Sequence, residues 1–197
     1  MTSGEILPHE RRVWRLAYLL TGDTDGAAAL AARVSRSHPD LAAMEPALLD
    51  RMVVQEARIL AARGATSRPA RPPMPADATR AFDAALAMPR QPLEAWVLTR
   101  LDDLDPLRVC RAMDCSRTAA ARHLAAADEQ MKGRLAEHLD RGIVALRAAA
   151  DALDPAPTIT RRRENDRAAD KRRQIILTGG AAIAILGIAL AVLKMLV

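Results

Sequence analysis

The sequence predicts an all-α protein, and three observations lead there. Apolar residues recur at helical spacing through most of the 197 residues, only four aromatics are present (Trp14, Tyr18, Phe82, Trp96), and β-branched runs of strand length are scarce before the C-terminal stretch. A sandwich or barrel has little to build with from such a composition. The length suits one ordinary domain or two small ones and leaves no room for a large enzyme fold.

A first helical domain is expected over residues 8–63. Val13, Trp14, Ala17, Tyr18 and Leu20 make one apolar face, and Thr21-Gly22-Asp23 supplies a stop followed by a new N-terminus. An alanine-rich helix follows near Asp25 to Ser35, broken by Ser37-His38-Pro39. A third helix starts about Pro46, with Leu48, Leu49, Met52, Val53, Ala57 and Leu60 as its buried stripe. Residues 64–77 read as a linker, because GATSRPARPPMPA concentrates proline and carries no apolar period.

The second domain is expected over residues 78–153, and within it Pro106 to Met113, Asp114-Cys115-Ser116 and Arg117 to Ala127 read as helix, tight connection, helix. Leu107, Cys110, Met113, Ala120, Leu124 and Ala127 form the shared apolar interior, and Ser116 is placed to cap the second helix. That layout is a helix-turn-helix. Arg117, Thr118, Arg122 and His123 then point outward, residue types that meet phosphates and base edges in a major groove. The local balance favours cations: Arg108, Arg111, Arg117, Arg122, Lys132 and Arg134 outnumber Asp114, Asp128 and Glu129.

Further along, Leu139, Ile143, Leu146, Ala150 and Leu153 recur at heptad-like spacing over two turns of pattern. That length is too short for an autonomous coiled coil; the seam either packs on the protein's own second block or offers a self-association surface. Cys110 and Cys115 read as reduced thiols packed as small hydrophobes, with no histidine spaced to complete a metal site. Asp102, Asp103 and Asp105 read as a solvated loop and N-cap group. No paired base, nucleophile or phosphate-cradling glycine loop accompanies them, so neither an enzymatic role nor a cofactor is expected.

Beyond DPAPTIT, residues 154–174 form a basic stalk and residues 175–197 a transmembrane helix. From Ile175 to Leu193 the chain runs uncharged, long enough as a helix to match a hydrocarbon core. Arg161, Arg162, Arg163, Lys171, Arg172 and Arg173 precede this span and are expected at the membrane surface, resting on anionic lipid. The topology expected is that of a tail anchor in the inner (cytoplasmic) membrane, single-pass, with the N-terminal part cytoplasmic. Gly180, Ala184, Gly187 and Ala191 place small residues along one face of the span, where a second copy could pack.

The formal charge of +5 is a matter of location. Residues 1–160 carry as many acidic as basic groups, and the excess comes from the stalk and Lys194. Net charge therefore gives no general argument for nucleic acid, and any such argument must come from a site.

AMPRQPLEAWVLTRL followed by DPLRVCRAMDCSRTAAARHLAAADEQMKGRL resembles region 4 of bacterial sigma factors of the extracytoplasmic-function type, whose pattern runs "LP…R…V…LR" and then "AxxLGxSxxTVKSRLxRAxxxLR". Met88-Pro89, Val97-Leu98 and Arg100 fit the first part; Cys110, Met113, Ser116, Leu124 and the spacing to Leu135 fit the second. VWRLAYLLTGDTDGAAALAARV is similar to the opening of region 2, and EPALLDRMVVQEARILAAR to its later helix. The resemblance covers about residues 8 to 138 in the family's order.

The resemblance implies a two-domain helical transcription protein that binds DNA through its helix-turn-helix and contacts the RNA polymerase core. The chain departs from the pattern in two places. Where the family carries the acidic, glutamine-containing "AEDLVQEVF" that grips polymerase, this chain has Ala28, Ala29, Leu30, Ala31, Ala32, Arg33, Val34 and Ser35. In the recognition helix the family's lysine falls on Ala121 and its arginine on His123, with Arg117 and Arg122 close by. The expectation is a membrane-tethered, sigma-factor-like transcription regulator; the alternative is a degenerate relative acting as an anchored adaptor through protein contacts alone.

Overall fold

The computed structural model describes residues 6–38, 41–62, 72–169 and 171. Every regular element among them is helical. Helix α1 (Pro8–Thr21) opens on a proline whose missing N–H would be unpaired there anyway, and the Glu10 carboxylate accepts the Leu7 N–H at 3.1 Å. Gly22 closes it in the left-handed region (φ 72°), donating its N–H to Tyr18 O at 2.8 Å. Asp23 then caps α2 (Thr24–Ser37), its carboxylate accepting the Asp25 and Gly26 N–H groups. A short 3-10 turn (Leu41–Ala43) leads into α3 (Pro46–Ala62).

The second block comprises α4 (Ala76–Leu86), α5 (Arg90–Trp96) continuing into a π-helical turn (Val97–Leu101), α6 (Pro106–Met113), α7 (Arg117–Leu135) and α8 (Leu139–Ala152). A single 3-10 turn (Ala136–His138) joins the last two. Helix α8 lies along α4, and the heptad-like seam is spent inside the molecule. Leu146 and Ala150 are buried, and Leu139, Ile143 and Leu153 pack against the same core.

Helix α1 is buried on all sides between Val13 and Leu20 except at Arg15, where one apolar face was expected. Its neighbours explain the difference: α2 and α3 pack on it from the first block, and α4 and α8 from the second. Trp14 stacks on Tyr18 with ring centroids 5.5 Å apart, and Tyr18 meets Phe82 of α4 at 5.2 Å. The two blocks expected as separate domains thus share one hydrophobic core within one compact unit that reaches Ile159. The expected stripe of α3 is also corrected in part. Leu49, Val53 and Ala57 are buried, whereas Leu48 stands 47% exposed and Val54 is buried in its place.

The second compact unit begins at Thr160. Its described part is helical through residue 169, with Arg162 Nε 3.2 Å from Asp166. Among the described residues no helix is long and apolar enough to cross a membrane. The expected span at 175–193, its small-residue face, Arg172, Arg173 and residues 63–71 of the linker region lie outside the described residues.

Candidate nucleic-acid interface

The corner predicted from sequence is formed by three local devices. Asp105 caps α6, its Oδ1 accepting the Leu107 and Arg108 N–H groups at 2.9 and 3.1 Å. At the other end Asp114 takes a left-handed conformation (φ 56°). Its N–H bonds Arg111 O, and the Cys115 N–H bonds Cys110 O at 3.1 Å, so two final carbonyls of α6 are satisfied. Ser116 Oγ then accepts the Ala119 N–H at 3.2 Å and starts α7. Helix, three-residue corner and helix start where the pattern put them, but α7 runs on to Leu135, past the expected end at Ala127.

The interior between the two helices holds Cys110, Met113, Ala120 and Ala127, all buried, with half-buried Leu124 packed on the core. Leu107 is the exception at 40% exposed. It lines an open groove together with Glu45, Leu48 and Arg51 of the first block. Both thiols are free. Cys110 Sγ lies 2.9 Å from Pro106 O, and burial pushes the Cys115 thiol up against the opposing pull of Arg58. No group of three or more candidate metal ligands occurs among the described residues.

Arg117, Thr118 and Arg122 are exposed, Ser116 is exposed at the cap, and His123 is half-buried. Arg117 and Arg122 make no ion pair among the described residues. Ala121 and Ala125 on the same helix are also exposed.

Other cations of the same stretch are committed elsewhere. Arg108 reaches Asp50 at 3.5 Å, Arg111 reaches Glu45 at 3.9 Å, and Arg134 donates to Ala84 O at 3.4 Å. The basic surplus counted along the sequence is therefore narrower in space: it centres on Arg117 and Arg122, with exposed Lys132 further along α7.

Two buried carboxylates, unmarked by the sequence reading, join the blocks. Asp50 of α3, 1% exposed, takes both Arg12 nitrogens at 2.9 and 2.8 Å as well as Arg108 of α6. Burial is the largest influence on Arg12 and pulls it down, but the hydrogen bond and charge of Asp50 together with the charge of Asp102 hold the guanidinium above its ordinary range. Glu94 of α5, 0% exposed, is held by Arg58 of α3 at 2.6 to 3.1 Å and by Arg90 at 2.9 Å. Arg58 also donates to Met113 O, and Arg90 to Leu20 O. The available signal was an acid set inside an apolar run, at Leu49-Asp50 and Leu93-Glu94-Ala95-Trp96.

In the acidic loop before α6 only Asp102 is less solvated than expected, while Asp103 and Asp105 are exposed. Asp102 contacts Arg15, and Asp103 takes Arg147 at 2.6 and 2.8 Å; only Asp105 plays the expected capping part. Of the expected membrane-surface residues, Arg161 and Lys171 are exposed while Arg162 and Arg163 are half-buried. No family model, no curated protein and no solved structure matches this chain.

Proposed function

We propose that the chain is a membrane-tethered, sigma-factor-like transcription regulator that binds duplex DNA through α6 and α7. The observation that carries the reading is the pair of exposed, unpaired guanidiniums, Arg117 and Arg122, on the first turns of a helix presented by a capped three-residue corner. Such a helix fits a major groove N-terminus first, with Arg117 and Thr118 nearest the bases or phosphates and Arg122 one turn further. Half-buried His123 is left a supporting place at the edge. The uncharged run from Ile175 to Leu193 and the stalk arginines supply the tether, which would hold the DNA reader beside anionic lipid. Polymerase contact belongs to the same proposal through the region 2 and region 4 resemblance.

A second reading, an anchored adaptor acting by protein contacts, is favoured by one observation. On α2, Ala28, Leu30, Ala31 and Val34 are spent on the core where the family's pattern carries its acidic grip. Fluorescence anisotropy of the full chain in detergent micelles with a labelled duplex separates the two. DNA binding that falls at least tenfold in Arg117→Ala/Arg122→Ala supports the first reading, and no DNA binding leaves the second. Co-elution of the full chain with core RNA polymerase tests the polymerase contact separately.

A further inference from the structure

The groove beside Arg117 is walled on its far side by the first block. Glu45, Leu48 and Arg51 face Leu107, Arg111 and Arg117 across an open volume of about 640 Å³. A helix about 10–12 Å across fills a major groove about 12 Å wide, so the sugar–phosphate ridges must run along both of its flanks. Here the start of α3 stands on one flank, and Glu45 puts a carboxylate where a phosphate strand would pass. The first block and a duplex compete for the same space.

The first block is seated on the shared apolar core, and ion pairs line the α3–α6 edge. At the rim, Arg51 Nη2 lies 2.9 Å from Asp114 Oδ2 and Arg111 pairs with Glu45; deeper in, Asp50 and Glu94 each take arginines from both blocks. The rim pairs are solvent-exposed and weaken with salt, so the α3–α6 edge is the part of the joint least firmly held. Asp114 adds to the case. It occupies a left-handed corner that suits glycine, and its carboxylate is the group that reaches Arg51.

We propose that the α3 face is an ion-pair clasp that holds the helix-turn-helix in a DNA-occluded form, and that duplex binding requires the α3–α6 edge to open. This rests on the DNA-binding reading above. Arg51→Glu breaks the rim pair with Asp114 without touching Arg117, Thr118 or Arg122, at a side chain 41% exposed. The variant adds negative charge beside Arg117. In a site already accessible to DNA it would weaken binding; in a clasped site it strengthens binding by opening the edge.

The test uses the full chain in detergent micelles, with hydrogen exchange of the α6 amides and anisotropy with a random-sequence duplex read side by side. The expected result is faster α6 exchange in Arg51→Glu and a duplex affinity raised about threefold to tenfold, the range a surface pair and its reversal can shift. Arg51→Gln should move both readouts the same way by less, and guards against a folding defect in the reversal. Faster exchange with unchanged or weaker DNA binding overturns the clasp and leaves the DNA reading intact. Unchanged exchange in both variants also overturns it, and no binding by any form overturns the DNA reading and the clasp together.

Discussion

Replacing Glu94 with glutamine removes a buried carboxylate that two arginines, one from each block, share. In the folded protein it accepts Arg58 Nε and Nη2 and Arg90 Nε, and it has no exposed surface. Burial pulls the Arg90 guanidinium down and Glu94 opposes that pull, while the bond to Glu94 is what chiefly holds Arg58 up. Breaking a buried pair by removing one partner costs about 3–5 kcal/mol, because the remaining charge stays desolvated. Arg58 and Arg90 retain 33% and 24% exposure, so water relieves part of that and the lower end, about 3 kcal/mol, is expected. For a domain of this size that lowers Tm by about 6–12 °C. Urea and thermal unfolding of the full chain, followed by circular dichroism at 222 nm, measures it. The double variant Arg58→Gln/Glu94→Gln should lose less than the sum of the singles. A loss below about 1 kcal/mol for Glu94→Gln, or strict additivity, would refute the view that this carboxylate joins the blocks.

Ser116→Ala should destabilise the protein by about 1 kcal/mol through loss of the α7 cap, measured by urea unfolding, with a comparable loss absent for Thr118→Ala on the exposed face. Asp102 is held above its ordinary 3.8 by burial, which outweighs Arg15. The folded state therefore binds that proton more tightly than the unfolded chain, and stability from this group is fully present below 3.8 and is lost as pH rises through the folded value. Wild type should accordingly gain stability relative to Asp102→Asn as pH falls from 6 toward 4; the opposite slope would show Arg15 to dominate. Because burial pushes up the Cys115 thiol, iodoacetamide at pH 8 should modify it more slowly than a free thiol. The rate should rise in Arg51→Glu, since Cys115 lines the groove that this variant opens.

Much of the helix-turn-helix was legible because its signals are local. The Ser116 cap, the Asp105-Pro106 start and the outward Arg117 and Arg122 depend on residues a few positions apart. The assembly of the blocks depends on contacts between residues 36 to 136 positions apart, such as Arg58–Glu94 and Arg15–Asp151, which no periodicity reports. One clue was present: Val13-Trp14 and Leu16 to Leu20 make α1 apolar all round, the mark of a helix covered on both sides, although a single face was inferred from it. Leu48 and Leu107 failed as core residues for a related reason. Each keeps the right helical phase, yet both line the groove between the blocks.

The salt dependence of duplex binding decides whether α7 reads DNA through its two free arginines. If Arg117 and Arg122 each neutralise a phosphate, the slope of log K against log salt for the full chain should fall by about 0.9 per arginine, or about 1.8 in Arg117→Ala/Arg122→Ala. A wild-type slope left unchanged by the double substitution, or the absence of any salt-sensitive binding, would contradict the account.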